Sequence, residues 1–222
     1  MTGKKKAAVS HDMDLAKIKK VAKEKHVTFN DIMMGLAGMS LKEFMEKKGD
    51  YETENLNLCI PFSLRTLPDS PAELQMQNEI AVLMYKLRCS KDLDASLKVV
   101  HHDIAALRNS AKPLGNAYEM KLLGTLLPTI LCFFALGDLA RKLTLVWSNV
   151  AGPKKPLTFN GKKTQKIFYL VPALGKLTTG ISIISHENIV KLGFMSDTCS
   201  VEDPRPLVDI FEANYKKYIL KE

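Results

Sequence analysis

The residues whose types most readily suggest chemistry are the adjacent histidines His101 and His102, followed by Asp103, a grouping that invites a general base or a metal site. Their helical context argues against both. Leu93, Leu97, Val100, Ile104 and Leu107 recur at the spacing of one helix face, which makes them the buried stripe. His102 then projects from the opposite side and His101 from the flank, so both are expected in solvent and no catalytic residue is assigned. His186, beside a predicted hairpin turn, is expected at the surface. The chain has no GxSxG, Walker A, GxGxxG or HExxH pattern, so hydrolase, NTPase, dinucleotide-binding and zincin readings have no support. Cys59, Cys89, Cys132 and Cys199 lie far apart with no CxxC pair, which predicts free thiols in a reducing compartment and no metal site.

Two polar motifs remain. Asn30 and Asp31 open a helix whose N-cap is Thr28, with Asp31 at the acidic position of a capping box. Ser148-Asn149-Val150-Ala151-Gly152-Pro153 ends a strand in a Gly-Pro turn. On physical grounds alone these are a helix start and a strand exit. Asn149 alternates with Trp147 and Leu145 on one strand face, so it needs a hydrogen-bond partner if buried.

The elements that must position these residues follow from periodicity. Residues 1–11 read as a flexible basic arm, and Leu15, Ile18, Val21 and Ala22 as a helix reaching His26. The helix after Thr28 presents Ile32, Met33, Leu36, Ala37, Ser40 and Phe44 on one face and stops at Gly49. Leu56 to Arg65 alternates as a half-buried strand, with Pro61 suggesting an edge or a bulge. Ile80 to Leu87 is apolar on both faces, as in a central strand covered on two sides. The helix bearing the histidines ends before Pro113, and a strand spans Leu143 to Val150. Ile167 to Val171, Leu177 to Ile184 and Ile189 to Met195 read as a hairpin series, after which Asp203 caps a last helix with Pro204 at its first position. Interleaved helices and strands without an internal repeat predict one α/β domain over residues 12–222, a mixed sheet flanked by helices.

The 222 residues carry a formal charge of +8. Residues 1–25 hold eight Lys against Asp12, Asp14 and Glu24, leaving +5 there and +3 on the rest. Phe168, Tyr169, Phe211 and Tyr215 fall in apolar runs rather than in a basic stripe interleaved with aromatics, which argues against nucleic acid as a partner. A second cluster, Lys154, Lys155, Lys162, Lys163 and Lys166, is either a solvated loop or a surface for anionic lipid headgroups or a phosphorylated ligand. The uncharged run Leu122 to Leu136 is 15 residues, short of the roughly 20 that span a bilayer. It reads first as a buried core helix kinked at Pro128, with an interfacial segment and a true span as alternatives. The start has no apolar signal-peptide core, in keeping with an intracellular protein.

Taken in order, the motifs resemble the C-terminal half of the wax ester synthase/diacylglycerol acyltransferase family, within the chloramphenicol acetyltransferase-like superfamily of CoA-dependent acyltransferases. Thr28-Phe29-Asn30-Asp31 is similar to the family's T-x-N-D helix start, and Ile60-Pro61-Phe62-Ser63-Leu64-Arg65 to its V-P-V-S-x-R strand. Asn78 resembles its Gly-Asn element, with Gln77 in place of Gly, and Ser148 to Pro153 its S-N-V-P-G-P turn, with Ala151 in place of Pro. Gly180, Ser185, Gly193 and Asp197 resemble the pattern of its last hairpin, although His186 replaces a Tyr and Glu187-Asn188 stand where a Gly turn is usual.

The resemblance implies transfer of a fatty acyl group from acyl-CoA, a co-substrate rather than a bound cofactor, to diacylglycerol or a long-chain alcohol in triacylglycerol or wax ester synthesis. It places the general-base His in an H-H-x-x-x-D-G motif of an N-terminal half. That motif is absent from this chain, since Ala106 and Leu107 follow His101-His102 where Asp and Gly are required. The N-terminal half is therefore an expected partner, missing or separate, and the chain alone is expected to be inactive with a large apolar surface exposed. Asn30, Asp31, Ser148, Asn149, Gly152 and Pro153 are the candidates for shaping the active centre, a structural role for Asn30 and Asp31 being the simpler alternative. A second function is a non-catalytic module of the same fold, peripheral to endoplasmic reticulum or lipid droplet membranes. A third is a membrane protein anchored by Leu122 to Leu136.

Overall fold

The computed structural model describes residues 2–63, 80–110, 141–153, 155–172 and 177–222, with isolated helical positions at 115, 118, 125, 131, 137, 138 and 140. Along the chain run β1 (Lys5–Val9), β2 (Met13–Asp14), α1 (Leu15–Glu24), α2 (Phe29–Lys47), β3 (Asn55–Ser63), β4 (Ile80–Arg88) and α3 (Leu93–Asn109). Then come β5 (Leu145–Ala151), β6 (Thr158–Phe159), β7 (Lys162–Lys163), β8 (Thr179–His186), β9 (Ile189–Asp197) and α4 (Arg205–Tyr215), followed by a π-helical turn at Lys216–Leu220. The main sheet has the order β1-β9-β8-β5-β3-β4, with β2 also paired to β9. β5 is parallel to both β3 and β8, and the other neighbours in this sheet are antiparallel. The sheet is mixed, as expected, and the carboxyl ends of β3, β5 and β8 all lie along one edge.

Local chemistry accounts for the helix starts. Asp14 and Asp92 cap α1 and α3 by accepting from Lys17 N and Ala95 N. Thr28 caps α2 in a complete capping box, its Oγ1 accepting from Asp31 N while Asp31 Oδ2 accepts from Thr28 N. Asp203, two residues ahead of α4, accepts from Arg205 N, so that helix begins a position later than Pro204 suggested.

α2 departs from the one-faced expectation. Asp31 to Leu41 is buried without a break, because the helix is enclosed by the sheet, α1, α3 and α4. Ile32, Met33, Met34 and Leu36 are fully enclosed, each worth about 1.5–3 kcal/mol of apolar burial. This helical layer covers one face of the sheet. A smaller cluster of Leu143, Val146 and Leu177, with Cys59, Ala140 and Val171 against it, covers part of the other.

Other expectations are corrected. β4 is an edge strand whose side chains alternate between buried and open, with Met84 54% exposed, so its apolar residues do not mark a central strand. Pro61 fits because β3 is in register with β5 only at Leu58 and Cys59, which leaves the Pro on a stretch laddered to β4 alone. Ile167 to Val171 forms no strand, and the hairpin before it is the short β6–β7 pair. Leu122 to Leu136 lies outside the described residues except for Thr125 and Leu131, both helical, and among the described residues no helix is long and apolar enough to cross a membrane. Cys59, Cys89 and Cys199 are free thiols.

The flexible arm is also corrected, since residues 5–9 pair with β9 from Lys5↔Asp197 to Val9↔Gly193. Asp197 anchors it, with Oδ1 accepting from Thr2 N, Thr2 Oγ1 and Cys199 N and Oδ2 from Gly3 N. These donors, the Cys199 N–H first and the Thr2 hydroxyl next, hold the Asp197 carboxyl well below the usual carboxylate range. A depressed carboxylate adds stability that is complete above its unfolded pKa and is lost as pH falls through the folded one. Asp197→Asn is therefore expected to lower the melting temperature at pH 7 and to flatten its dependence on pH below the range where unfolded Asp titrates, measured by thermal unfolding across the acid range. An unchanged acid profile would refute the anchor.

Candidate functional site

β5 carries its own transition from core to surface. Leu145, Val146 and Trp147 are buried, Ser148 is intermediate, and Asn149 to Ala151 are open to solvent at the carboxyl end. The N-terminus of α2 meets the strand there. Asn30 Oδ1 accepts from Asn149 Nδ2 at 3.0 Å and from Trp147 Nε1 at 3.2 Å, while its Nδ2 is 3.4 Å from Met34 Sδ. The two polar motifs, 119 positions apart in sequence, thus share one amide. Asn149 is expected to need a partner only if buried; it is open to solvent and is nevertheless paired with Asn30. Nothing in the local pattern announced the Trp147 indole as the second donor.

Asp31 turns the other way. Its side chain is 1% exposed, and Oδ2 accepts both Thr28 N at 2.8 Å and His101 Nδ1 at 2.7 Å. The expectation that His101 is solvated is therefore corrected: its side chain is 43% exposed but its ring is bound to the carboxylate. A residue on the flank of α3 is carried against α2 by the packing of the two helices, which the periodicity of α3 alone does not reveal. His102, 82% exposed, is in solvent as expected. Asp31 Oδ1 and the Tyr85 hydroxyl are buried and have no hydrogen-bond partner among the described residues. Burial, and then Asp103 and Asp31, push the Tyr85 hydroxyl pKa up, so it remains a donor.

The Ser148 to Pro153 turn is pinned from β8 and the segment after β7. Tyr169 OH donates to the Ser148 carbonyl at 2.8 Å, and burial raises its pKa and keeps it protonated. Gly152 N donates to Ser185 O at 2.8 Å, and a Cβ on Gly152 would fall 2.3 Å from that same oxygen. Only glycine fits there. His186 is corrected as well: it is 5% exposed and its Nδ1 donates to Pro153 O at 3.0 Å, while Nε2 is buried with no partner among the described residues. His186 therefore latches the turn rather than lining the surface.

The assembled site is a neutral amide junction beside the carboxyl ends of parallel strands, where open sheets leave a crevice for ligands. It offers donors and acceptors for orienting a ligand. It pairs no nucleophile with a base, and among the described residues no three His, Cys, Asp or Glu side chains are grouped as metal ligands would be. In a double-mutant cycle Asn30→Ala with Asn149→Ala is expected to give a coupling of about 0.5–1.5 kcal/mol in urea unfolding, and additivity would refute the bond. His101→Ala is expected to cost about 1 kcal/mol, because water reaches that side and replaces part of the bond to Asp31.

Comparison with known proteins extends this geometry. The family model described as WS/DGAT C-terminal domain matches residues 76–218. A probable diacylglycerol O-acyltransferase of Mycobacterium tuberculosis is 22% identical over 196 residues, covering 85% of this chain and 41% of its own length. The O-acyltransferase WSD of Acinetobacter baylyi is 22% identical over 193 residues, with 86% and 41% covered. The chain thus spans about two fifths of the length of the curated relatives it matches. Among solved structures, the wax ester synthase/diacylglycerol acyltransferase from Marinobacter aquaeolei VT8 superposes with a TM-score of 0.70 at 16% identity, over 98% of this chain and 49% of that one. The condensation domain of the Monacolin K polyketide synthase does so at 0.62 and 11% identity, over 99% and 48%.

Proposed function

Because the chain belongs to the family of the WS/DGAT C-terminal domain, we propose that it is the C-terminal half of an acyl-CoA-dependent O-acyltransferase acting on diacylglycerol or a long-chain alcohol. The observation that carries this reading is the Asn30 amide joining Trp147 and Asn149, which ties two of the family-like motifs into one rigid edge at the mouth of the parallel strands. Val150, 46% exposed, and Ile80, 49% exposed, lie along the same edge and supply apolar surface for a second half.

In the proposed reaction a His of the N-terminal half takes the hydroxyl proton as the alcohol oxygen attacks the thioester carbonyl. The tetrahedral intermediate collapses with cleavage of the C–S bond, and the proton passes to the CoA thiolate, leaving ester and free CoA. This chain's part is to hold its wall of the channel in place. Asn30 and Asn149 fix the start of α2 against β5, Asp31 and His101 fix α2 against α3, and Gly152 and Pro153 carry the turn onto β8. Both substrates are lipids, so the work is done at a membrane or lipid droplet surface inside the cell, in triacylglycerol or wax ester synthesis.

The test is transfer of labelled palmitate from palmitoyl-CoA to hexadecanol or diacylglycerol, by the purified chain with and without a co-expressed N-terminal half from the same family. Product is expected only with both halves, and Asn149→Ala in the combined enzyme is expected to abolish it. Product from the chain alone would refute the assignment of the base to the other half. No product from halves shown to associate would leave a non-catalytic lipid-binding module as the function.

A further inference from the structure

The chain's excess positive charge is concentrated in one stretch. No acidic residue occurs between Asp138 and Glu187, while Arg141, Lys142, Lys154, Lys155, Lys162, Lys163, Lys166 and Lys176 all fall there, as many charges as the +8 of the whole chain. In the middle of it stands the β6–β7 hairpin. Asn160 and Gly161 at its tip have φ of 48° and 74°, the signature of a tight two-residue turn. Phe159 is in register with Lys162, and Thr158 with Lys163.

Side chains alternate across such a ribbon, so Phe159 and Lys162 share one face and Thr158 and Lys163 the other. The second face is tied to the domain, with Lys163 Nζ 3.0 Å from Glu187 Oε1. Lys166 Nζ, just beyond, is 3.0 Å from Asp12 Oδ2. The first face is left outward. Phe159 is 85% exposed and Leu157 44%. Thr164 N donates to Leu157 O at 2.7 Å, continuing the ladder and placing Leu157 two positions from Phe159 on that face. Lys155 and Lys162 are exposed beside them, and neither forms a salt bridge among the described residues.

A rigid tip with an aromatic ring in the open, an aliphatic neighbour and unpaired lysines around both fits the boundary between lipid headgroups and acyl chains. A single ring without a row of aromatics is a poor platform for stacked bases. We propose that the β6–β7 hairpin docks this domain on an anionic lipid surface, Phe159 and Leu157 entering the boundary layer while Lys155 and Lys162 pair with the headgroups. The inference rests on the lipid-substrate reading above and names the surface through which the domain meets its substrates' phase.

The test is co-sedimentation of the chain with vesicles of phosphatidylcholine containing about 30% phosphatidylserine, against phosphatidylcholine alone, in low and high salt. Wild type is expected to bind the anionic vesicles and to release as salt rises. Phe159→Ala is expected to weaken partitioning about tenfold, Lys162→Glu by a similar factor, and Phe159→Trp to retain it. Because these side chains are exposed, melting temperatures are expected to stay unchanged, which separates docking from folding. Wild type that sediments with no vesicles overturns lipid docking altogether. Wild type that binds while Phe159→Ala and Lys162→Glu bind equally overturns the hairpin alone. Acyl transfer to a detergent-dispersed acceptor by the chain combined with the N-terminal half, expected to be unaffected by Phe159→Ala, reports separately on the catalytic reading.

Discussion

The buried carboxylate of Asp31 accepts the N–H of Thr28 and the ring of His101, and the placement of α2 depends on it. From Asp31 to Leu41 this helix is enclosed by the sheet and three other helices and has no solvent-facing side on which to slide or rotate. Its first turn must therefore be fixed by specific polar contacts, since apolar packing tolerates small shifts that hydrogen bonds do not. The capping box fixes where α2 begins, and His101 fixes that start against α3. Asn30, one residue before Asp31, then arrives at the end of β5 in position to accept from both Trp147 and Asn149. Stability and the geometry of the site share this one arrangement, because the contact that closes the helix end also aims the amide.

A wall built this way suits a reaction whose proton transfer happens elsewhere. The amides of Asn30 and Asn149 do not titrate, so they keep the same donors and acceptors throughout the range in which a histidine base changes its charge. Tyr169, held protonated by burial, gives the turn at Ser148 the same constancy. Groups that keep their protons can orient a thioester or an alcohol without competing for the one proton that moves.

Much of this was legible in the residues. The Thr28 and Asp31 box, the alternation of β3 and the stripe of α3 each obey a local rule, and each element appears where that rule puts it. For Asn149 the residues imply only a conditional need, a partner if buried, whereas the side chain is paired with Asn30 while open to solvent. The errors share one cause. For His101, His186 and β4 the element alone is not enough, because their surroundings come from α2, from the Pro153 turn and from the place of β4 at the end of the strand order among the described residues. A helix stripe shows which residues face the first neighbour. It does not reveal a second neighbour on the flank, and a strand with apolar residues on both faces looks the same at the centre of a sheet as at an edge that another surface covers.

The two edges of the sheet are built differently, and the difference has a direction. β1 is five residues long, begins Lys5-Lys6 and is held at its start by Asp197, which makes it a poor template for another strand. β4 is nine residues long and is charged at Lys86 and Arg88 but apolar at its Ile80 end. That end is opposite Ser63, at the carboxyl end of β3, and so along the same edge as Asn149 and Val150. Apolar surface left open in a folded domain is retained where something covers it. Here it collects at the edge that also carries the amide junction, and the basic hairpin adds a second open surface of different character, small, aromatic-tipped and rimmed with lysine. Under the proposed reading, the first suits contact with a second half and the second contact with lipid.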